Sequence, residues 1–239
     1  MALTTLEEMR ANVAAIRARM EAAAHSAGRR PQEILLCAAS KTQDADTVRL
    51  SAQLDIDLFG ENRVQELVQK CAAGAYLAKP LHFIGHLQTN KVRQVVGAAA
   101  MIESVGSHHL LAEVEKCAAR AGVCQDILIE VNIGQEAAKS GVAPAELDAI
   151  LEAAAVMAHV HVRGLMAVPP VRDNDADNRR DLAAMRALFD KARDRRIERV
   201  DMQWLSMGMS GDFENAIREG ANIVRIGTAI YGARSYPAR

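Results

Sequence analysis

The sequence predicts an α/β protein, a single (β/α)8 (TIM) barrel domain over residues 1–239 with an extra helix at its N-terminus. Three observations lead there. Eight short apolar runs alternate with helical patterns along the chain. Most of these runs are continuously apolar rather than alternating, as strands buried on both faces of a parallel sheet are. The chain has 239 residues, 50% of them hydrophobic, close to the roughly 250 that a closed barrel uses as one domain. A doubly wound open sheet is the competing architecture, but no GxGxxG loop follows the first strand, which counts against a dinucleotide fold.

The N-terminal helix is predicted over 3–24. Leu3, Leu6, Met9, Val13, Ile16 and Met20 recur every three or four residues, Thr5 and Glu8 form a capping-box pattern, and Gly28 and Pro31 stop the helix. Strands are expected near 34–41, 57–62, 81–85, 101–105, 126–133, 161–168, 203–208 and 222–227. Helices are expected between them near 45–52, 64–73, 89–97, 107–121, 144–158, 178–195 and 211–219. In the helix at 107–121, Leu110, Leu111, Val114, Cys117 and Ala121 share a face, Ser107 caps the start and Gly122 ends it. The polar stretch 172–180 reads as a solvated loop entering a helix.

Composition excludes several function classes. The net charge is -1, so no basic excess points to nucleic acid, and aromatics at 3% are too few for base-stacking platforms. No run reaches the roughly 18 apolar residues of a membrane span, and acidic residues near the start argue against a signal peptide. The four cysteines, Cys37, Cys71, Cys117 and Cys124, form no CxxC pair and read as reduced thiols of a cytoplasmic protein. His159 and His161 have the HxH spacing of metal-dependent hydrolases. They precede the sixth strand, however, and His82 starts the third, so all three fall on the face of the barrel away from a site; no metal is expected.

Chemistry in such a barrel sits where the strands end. Lys41 closes the apolar run ILLCAASK. Pointing into the barrel mouth, its amine would be pushed toward the neutral form that adds to carbonyls; pointing outward, it would simply mark a strand end with its ammonium in water. Ser206–Ser210 joins the seventh strand to a short helix, with Ser210 as a candidate N-cap and Gly208 as a place where backbone can approach a ligand. Gly227–Thr228 gives a second such turn after the eighth strand. Two turns there suit a phosphate, or are two ordinary helix starts. Arg225 lies within the apolar run IVRIG and must either serve a ligand or pair with a carboxylate such as Glu61 or Glu130.

Taken together, AASK at 38–41, FGEN at 59–62, HFIGHLQTNK at 82–91, KSG at 139–141, RGLM at 163–166, SMGMSGD at 206–212 and VRIGTAIYGAR at 224–234 resemble the pyridoxal phosphate homeostasis protein family, a stand-alone barrel similar to the alanine racemase N-terminal domain. The resemblance covers nearly the whole chain in order. It departs at His86, where the family varies, and in the polar loop after Pro170. It implies pyridoxal 5′-phosphate as cofactor, held as a Schiff base on Lys41. It further implies that Ser206, Gly208, Ser210, Gly227 and Thr228 surround the phosphate, that Arg225 faces the pyridine nitrogen, and that Asn62 and Ile84 line the ring.

The resemblance also implies a protein that binds, stores or hands over the cofactor and affects amino- and keto-acid balance without definite turnover. Recipient enzymes that use the cofactor are the expected partners, and the expected assembly is a monomer or weak dimer. The alternative is a weak racemase-like enzyme acting on amino acids. A positive guanidinium at the pyridine nitrogen weakens the ring as an electron sink, which argues against it. So does the supply of acid/base groups: the similar racemases take a tyrosine from another domain, and this chain offers only Tyr76, Tyr231 and Tyr236. A barrel enzyme that forms its Schiff base on Lys41 with a sugar or keto acid is the third reading.

Overall fold

The computed structural model describes residues 5–136, 139–172 and 174–232. Eight parallel strands close into a barrel in chain order: β1 (Leu35–Ala39), β2 (Leu58–Glu61), β3 (Leu81–Phe83), β4 (Met101–Val105), β5 (Gln125–Glu130), β6 (Val160–Met166), β7 (Val200–Ser206) and β8 (Ile223–Ile226). The helices are α1 (Leu6–Ser26), α2 (Ala45–Ser51), α3 (Val64–Ala72), α4 (His108–Ala121), α5 (Leu147–Ala155), α6 (Asp175–Asp194), α7 (Phe213–Arg218) and α8 (Thr228–Tyr231). The predicted barrel is thus observed, and β8 closes on β1 with Cys37 beside Arg225. Among the described residues no helix is long and apolar enough to cross a membrane.

Alternate residues of each strand face in. Inside the barrel, Cys37, Leu58 and Ile223 pack with Leu35 and Trp204, and Met101, Leu128 and Met166 form a second apolar cluster that also packs against Trp204. Beside these clusters stand buried polar residues, His82, Glu103, Ser206 and Arg225, with Arg225, His82 and Ser206 in register with Cys37, Met101 and Met166 on neighbouring strands. The outward residues of the strands join the inner faces of the helices in one large core.

The extra helix α1 has a structural task. The helix after β8 is a single turn, so the barrel wall would gape there. α1 fills the gap, lying on α7, α8 and α2. It buries Met9, Val13, Ile16 and Met20. At roughly 1.5–3 kcal/mol per buried side chain this outweighs its surface ion pair to Glu214, worth about 1 kcal/mol or less. The Thr5–Glu8 capping box is present, and Asn12 Nδ2 donates to the Ile230 carbonyl at 3.0 Å. The predicted start at Leu3 lies outside the described residues.

Several predicted boundaries need correction. Thr89–Gln94 is a 3-10 helix rather than an α-helix: its backbone bonds span three residues at either end, Lys91 N–H to Gln88 O at 2.9 Å and Val95 N–H to Val92 O at 3.0 Å, and Gly97 turns the chain with positive φ. The polar stretch 172–180 enters its helix three residues earlier than the expected 178. Asn174 Oδ1 accepts from Asp177 N–H at 2.9 Å and starts α6 at Asp175. α7 begins at Phe213, with Asp212 rather than Ser210 at its start, because the Asp212 carboxylate turns back to accept from Met209 N–H at 2.7 Å.

Candidate functional site

A cavity of about 330 Å3 opens at the C-terminal end of the barrel over β1, β2 and β8. It collects Lys41, Asn62, Ile84, Ser210, Arg225, Gly227 and Thr228, seven of the nine residues singled out from the sequence. Lys41 stands two residues past the end of β1, half-buried in the cavity wall. Ile84 is buried and follows β3 directly. Asn62 follows β2, and its Oδ1 is buried without a hydrogen-bond partner. Gly85 explains how Asn62 is held: a Cβ at 85 would collide with the Asn62 backbone, so only glycine lets the β3 loop close on it.

Ser206 and Gly208 do not line the cavity, and both have other structural duties. The Ser206 hydroxyl is fully buried; it donates to Glu103 Oε2 at 2.6 Å and accepts from Arg225 Nη1 at 2.6 Å. Gly208 has φ +95°, and a Cβ there would stand 2.5 Å from Ala216 Cβ. The glycine therefore lets the loop pack on α7, where the sequence suggested close approach to a ligand. The backbone of this loop still reaches the cavity through Met209, Ser210 and Gly211.

Arg225 is buried within the barrel yet borders the cavity. Its Nη2 donates to the Ala167 carbonyl at 2.8 Å. Its nearest carboxylate is neither Glu61 nor Glu130 but Glu103, with Nη1 3.9 Å from Oε2 and the Ser206 hydroxyl bridging the two. Glu103 Oε1 lies 2.6 Å from Nδ1 of His82. A buried line His82–Glu103–Ser206–Arg225 thus crosses the barrel from β3 to β8. Burial works against ionising Glu103, but the His82 hydrogen bond and charge, Arg225 and Ser206 together hold its carboxyl below the usual glutamate range. His82, assigned from sequence to the far face, instead belongs to this interior line: β3 is only three residues long, so its start is already at mid-barrel.

Glu130 is also buried inside the barrel, and burial pushes its carboxyl up, partly offset by Arg225. Glu61 points to the outer side of the sheet, where it accepts from Lys70 Nζ at 2.6 Å. His159 binds Glu115 and His161 approaches Asp126, both at the N-terminal end of β6. Among the described residues no cluster could hold a metal ion.

Sequence reasoning missed the Glu103–His82 half of the interior line and the cavity residues Thr42, Gln43, Met209 and Tyr231. Glu103 carried a usable signal. It interrupts the apolar run MIESV as Arg225 interrupts IVRIG, and two opposite charges inside apolar strands of one barrel are natural partners. Tyr231 lies on α8, the single helical turn that starts at Gly227–Thr228; its hydroxyl is 3.0 Å from Ser51 Oγ and burial pushes its pKa up.

The alanine racemase N-terminal domain model matches residues 5–235. The pyridoxal phosphate homeostasis protein of Aquifex aeolicus is 42% identical, covering 91% of this chain and 95% of the relative. That of Escherichia coli is 36% identical, covering 94% and 96%. The structure of PipY from Synechococcus elongatus with pyridoxal phosphate bound superposes with a TM-score of 0.77 at 30% identity, over 90% of this chain and all of that one. Alanine racemase from Streptomyces lavendulae, at 20% identity, shares the fold with a TM-score of 0.77, and this chain spans 58% of it. With the family model matched over nearly its whole length and these relatives matched end to end, the chain belongs to the pyridoxal phosphate homeostasis protein family, built on the alanine racemase N-terminal domain.

Proposed function

We propose that this chain binds pyridoxal 5′-phosphate as a Schiff base on Lys41 and serves cofactor homeostasis, storing and delivering the cofactor without definite catalytic turnover. The observation that carries this reading is one cavity that brings a lysine, a buried arginine and two backbone turns together. Its volume of about 330 Å3 lies within the roughly 300–1,000 Å3 of small-ligand sites. The unpartnered Asn62 Oδ1 is a polar atom awaiting a donor, and such buried orphans are rare without a ligand or water. Ser210–Gly211 and Gly227–Thr228 line the same cavity and offer backbone N–H groups and hydroxyls suited to a phosphate. Bound there, the cofactor supplies an aldehyde for amines and an electron-withdrawing pyridine ring.

The chain's own residues favour holding over turnover. Arg225, fixed by Ser206 and Ala167, would present a guanidinium to the pyridine nitrogen, which discourages its protonation. Tyr231 reaches the cavity, but its hydroxyl is engaged with Ser51 and burial holds it protonated, a poor acid/base. Tyr76 is bonded to Glu61 outside the barrel, and Tyr236 lies outside the described residues. The names of the relatives as homeostasis proteins support the same role. We take residues 1–239 as one domain, the phosphate as the ligand of the two turns, enzymes that receive the cofactor as partners, and the cytoplasm as the site of action, in line with four cysteines lacking any CxxC pair.

The test is the visible spectrum of the purified protein with added pyridoxal 5′-phosphate, followed by borohydride reduction and peptide mass mapping. A yellow protein with a reduced pyridoxyl group on Lys41 is expected. A protein that stays colourless and takes up no cofactor would refute the reading.

A further inference from the structure

Behind the Lys41 loop, on the outer side of the sheet, lies a buried ion-pair network that takes no part in the cavity. Lys70, on α3, is 5% exposed at its side chain and Glu61, on β2, is fully buried. The Lys70 ammonium spends its three donors on Ser40 O at 2.8 Å, Glu61 Oε1 at 2.6 Å and Glu66 Oε2 at 3.2 Å. Glu61 Oε1 also accepts from Ser40 Oγ at 2.6 Å and Tyr76 OH at 3.3 Å. Glu66 Oε2 accepts from Thr42 N–H at 2.7 Å. Both chain neighbours of Lys41 are therefore tied to the same three side chains, Ser40 through its carbonyl and hydroxyl and Thr42 through its amide.

The tie holds a conformation that the chain would not adopt unaided. Thr42 has φ +67°, in the left-handed region where a β-branched residue is an outlier. Such strain persists only when surroundings over-determine it: Gln43 N–H donates to Ser40 O at 3.1 Å and closes the turn, and the Glu66 hydrogen bond to the Thr42 amide ties that turn to α3. A buried lysine–glutamate pair gains little stability over apolar residues of the same size, so its value lies in fixing geometry. We propose that Lys70, with Glu61 and Glu66, is a positioning device that clamps residues 40–42 and so aims Lys41 into the cavity. This rests on the reading of Lys41 as the cofactor lysine.

The experiment compares wild type with Lys70→Met, Lys70→Arg and Glu66→Gln. Three quantities are read: the rate of borohydride-trapped adduct formation at Lys41 with pyridoxal 5′-phosphate, the affinity for pyridoxine 5′-phosphate, and amide hydrogen exchange over 40–43. Pyridoxine 5′-phosphate carries an alcohol in place of the aldehyde, so it reports the phosphate and ring contacts alone. In Lys70→Met the adduct rate is expected to fall about tenfold while pyridoxine 5′-phosphate affinity stays within about twofold. Exchange over 40–43 rises with the strands still protected, and Lys70→Arg recovers part of the rate. Equal loss of adduct and of pyridoxine 5′-phosphate binding would overturn the proposal, because the network would then merely hold α3 on the barrel. Unchanged rate and exchange would overturn it too. Should Lys70→Met not fold, Glu66→Gln carries the same test, since its side chain is partly exposed and it still removes the charge facing Thr42. A wild type with no adduct on Lys41 would sink the cofactor reading; the exchange data would then decide the clamp alone, faster exchange confined to 40–43 supporting it and no change overturning it.

Discussion

Replacing Glu103 by glutamine removes one charge from the middle of the barrel and little else. The side chain keeps its shape, so its amide oxygen can still accept from Ser206 while its NH2 donates to Nδ1 of a neutral His82, and the two contacts, both 2.6 Å, can persist as neutral hydrogen bonds. A hydrogen bond to a charged group is worth about 1.5–3 kcal/mol against about 1 kcal/mol for a neutral one, so the two together lose about 2 kcal/mol. Arg225, 3.9 Å from Glu103 and almost fully buried, loses its nearest carboxylate. Breaking a buried pair costs about 3–5 kcal/mol, and the retained geometry puts Glu103→Gln at the lower end, about 3 kcal/mol at pH 7. For a chain of this length that corresponds to about 6 °C in Tm. The effect has a pH signature. Glu103 is held below its ordinary value of 4.5 despite burial, so its contribution is fully present above that value and is lost as pH falls through the folded one. Urea melts between pH 3 and pH 8 read both quantities. The gap between wild type and variant should be largest at neutral pH and close in acid. A gap below about 1 kcal/mol at pH 7, or the same gap at pH 3.5 and pH 7, would refute the account of an ionised Glu103 anchoring Arg225.

Glu130→Gln removes a buried carboxyl that burial pushes up. Such a group stabilises below its unfolded value and loses that contribution as pH rises, so the variant should gain on wild type in urea melts at pH 8 relative to pH 4; a constant difference would contradict this. Gly208→Ala places a Cβ 2.5 Å from Ala216 Cβ at φ +95° and should cost about 2–3 kcal/mol in urea unfolding, while Gly211→Ala, with open space around it, should cost far less. Lys41→Ala should abolish the borohydride adduct yet leave measurable cofactor affinity by equilibrium dialysis; complete loss would show that the backbone turns hold no phosphate. Arg225→Glu would set a third acid beside Glu103 and Glu130; it should raise pyridine protonation and shift the absorbance of the bound cofactor, and an unchanged spectrum would count against that contact.

The sequence by itself determined the barrel, because that architecture is written in local patterns: eight apolar runs of strand length, helical stripes between them, and turn residues at their ends. It also marked Lys41, Asn62, Ile84, Ser210, Arg225, Gly227 and Thr228, which lie at strand ends and so meet in one cavity once the barrel closes. What it could not decide depended on distance between segments far apart in the chain. Ser206 and Gly208 belong to the right loop, yet pleat and packing turn one into the barrel and press the other against α7. Glu103 meets Arg225 across more than a hundred residues, and Lys70 reaches Ser40 only because α3 folds back over β1 and β2. Periodicity reports which face of an element is buried, but the partner of a buried charge is chosen by register and barrel closure, and these exist only in the tertiary structure.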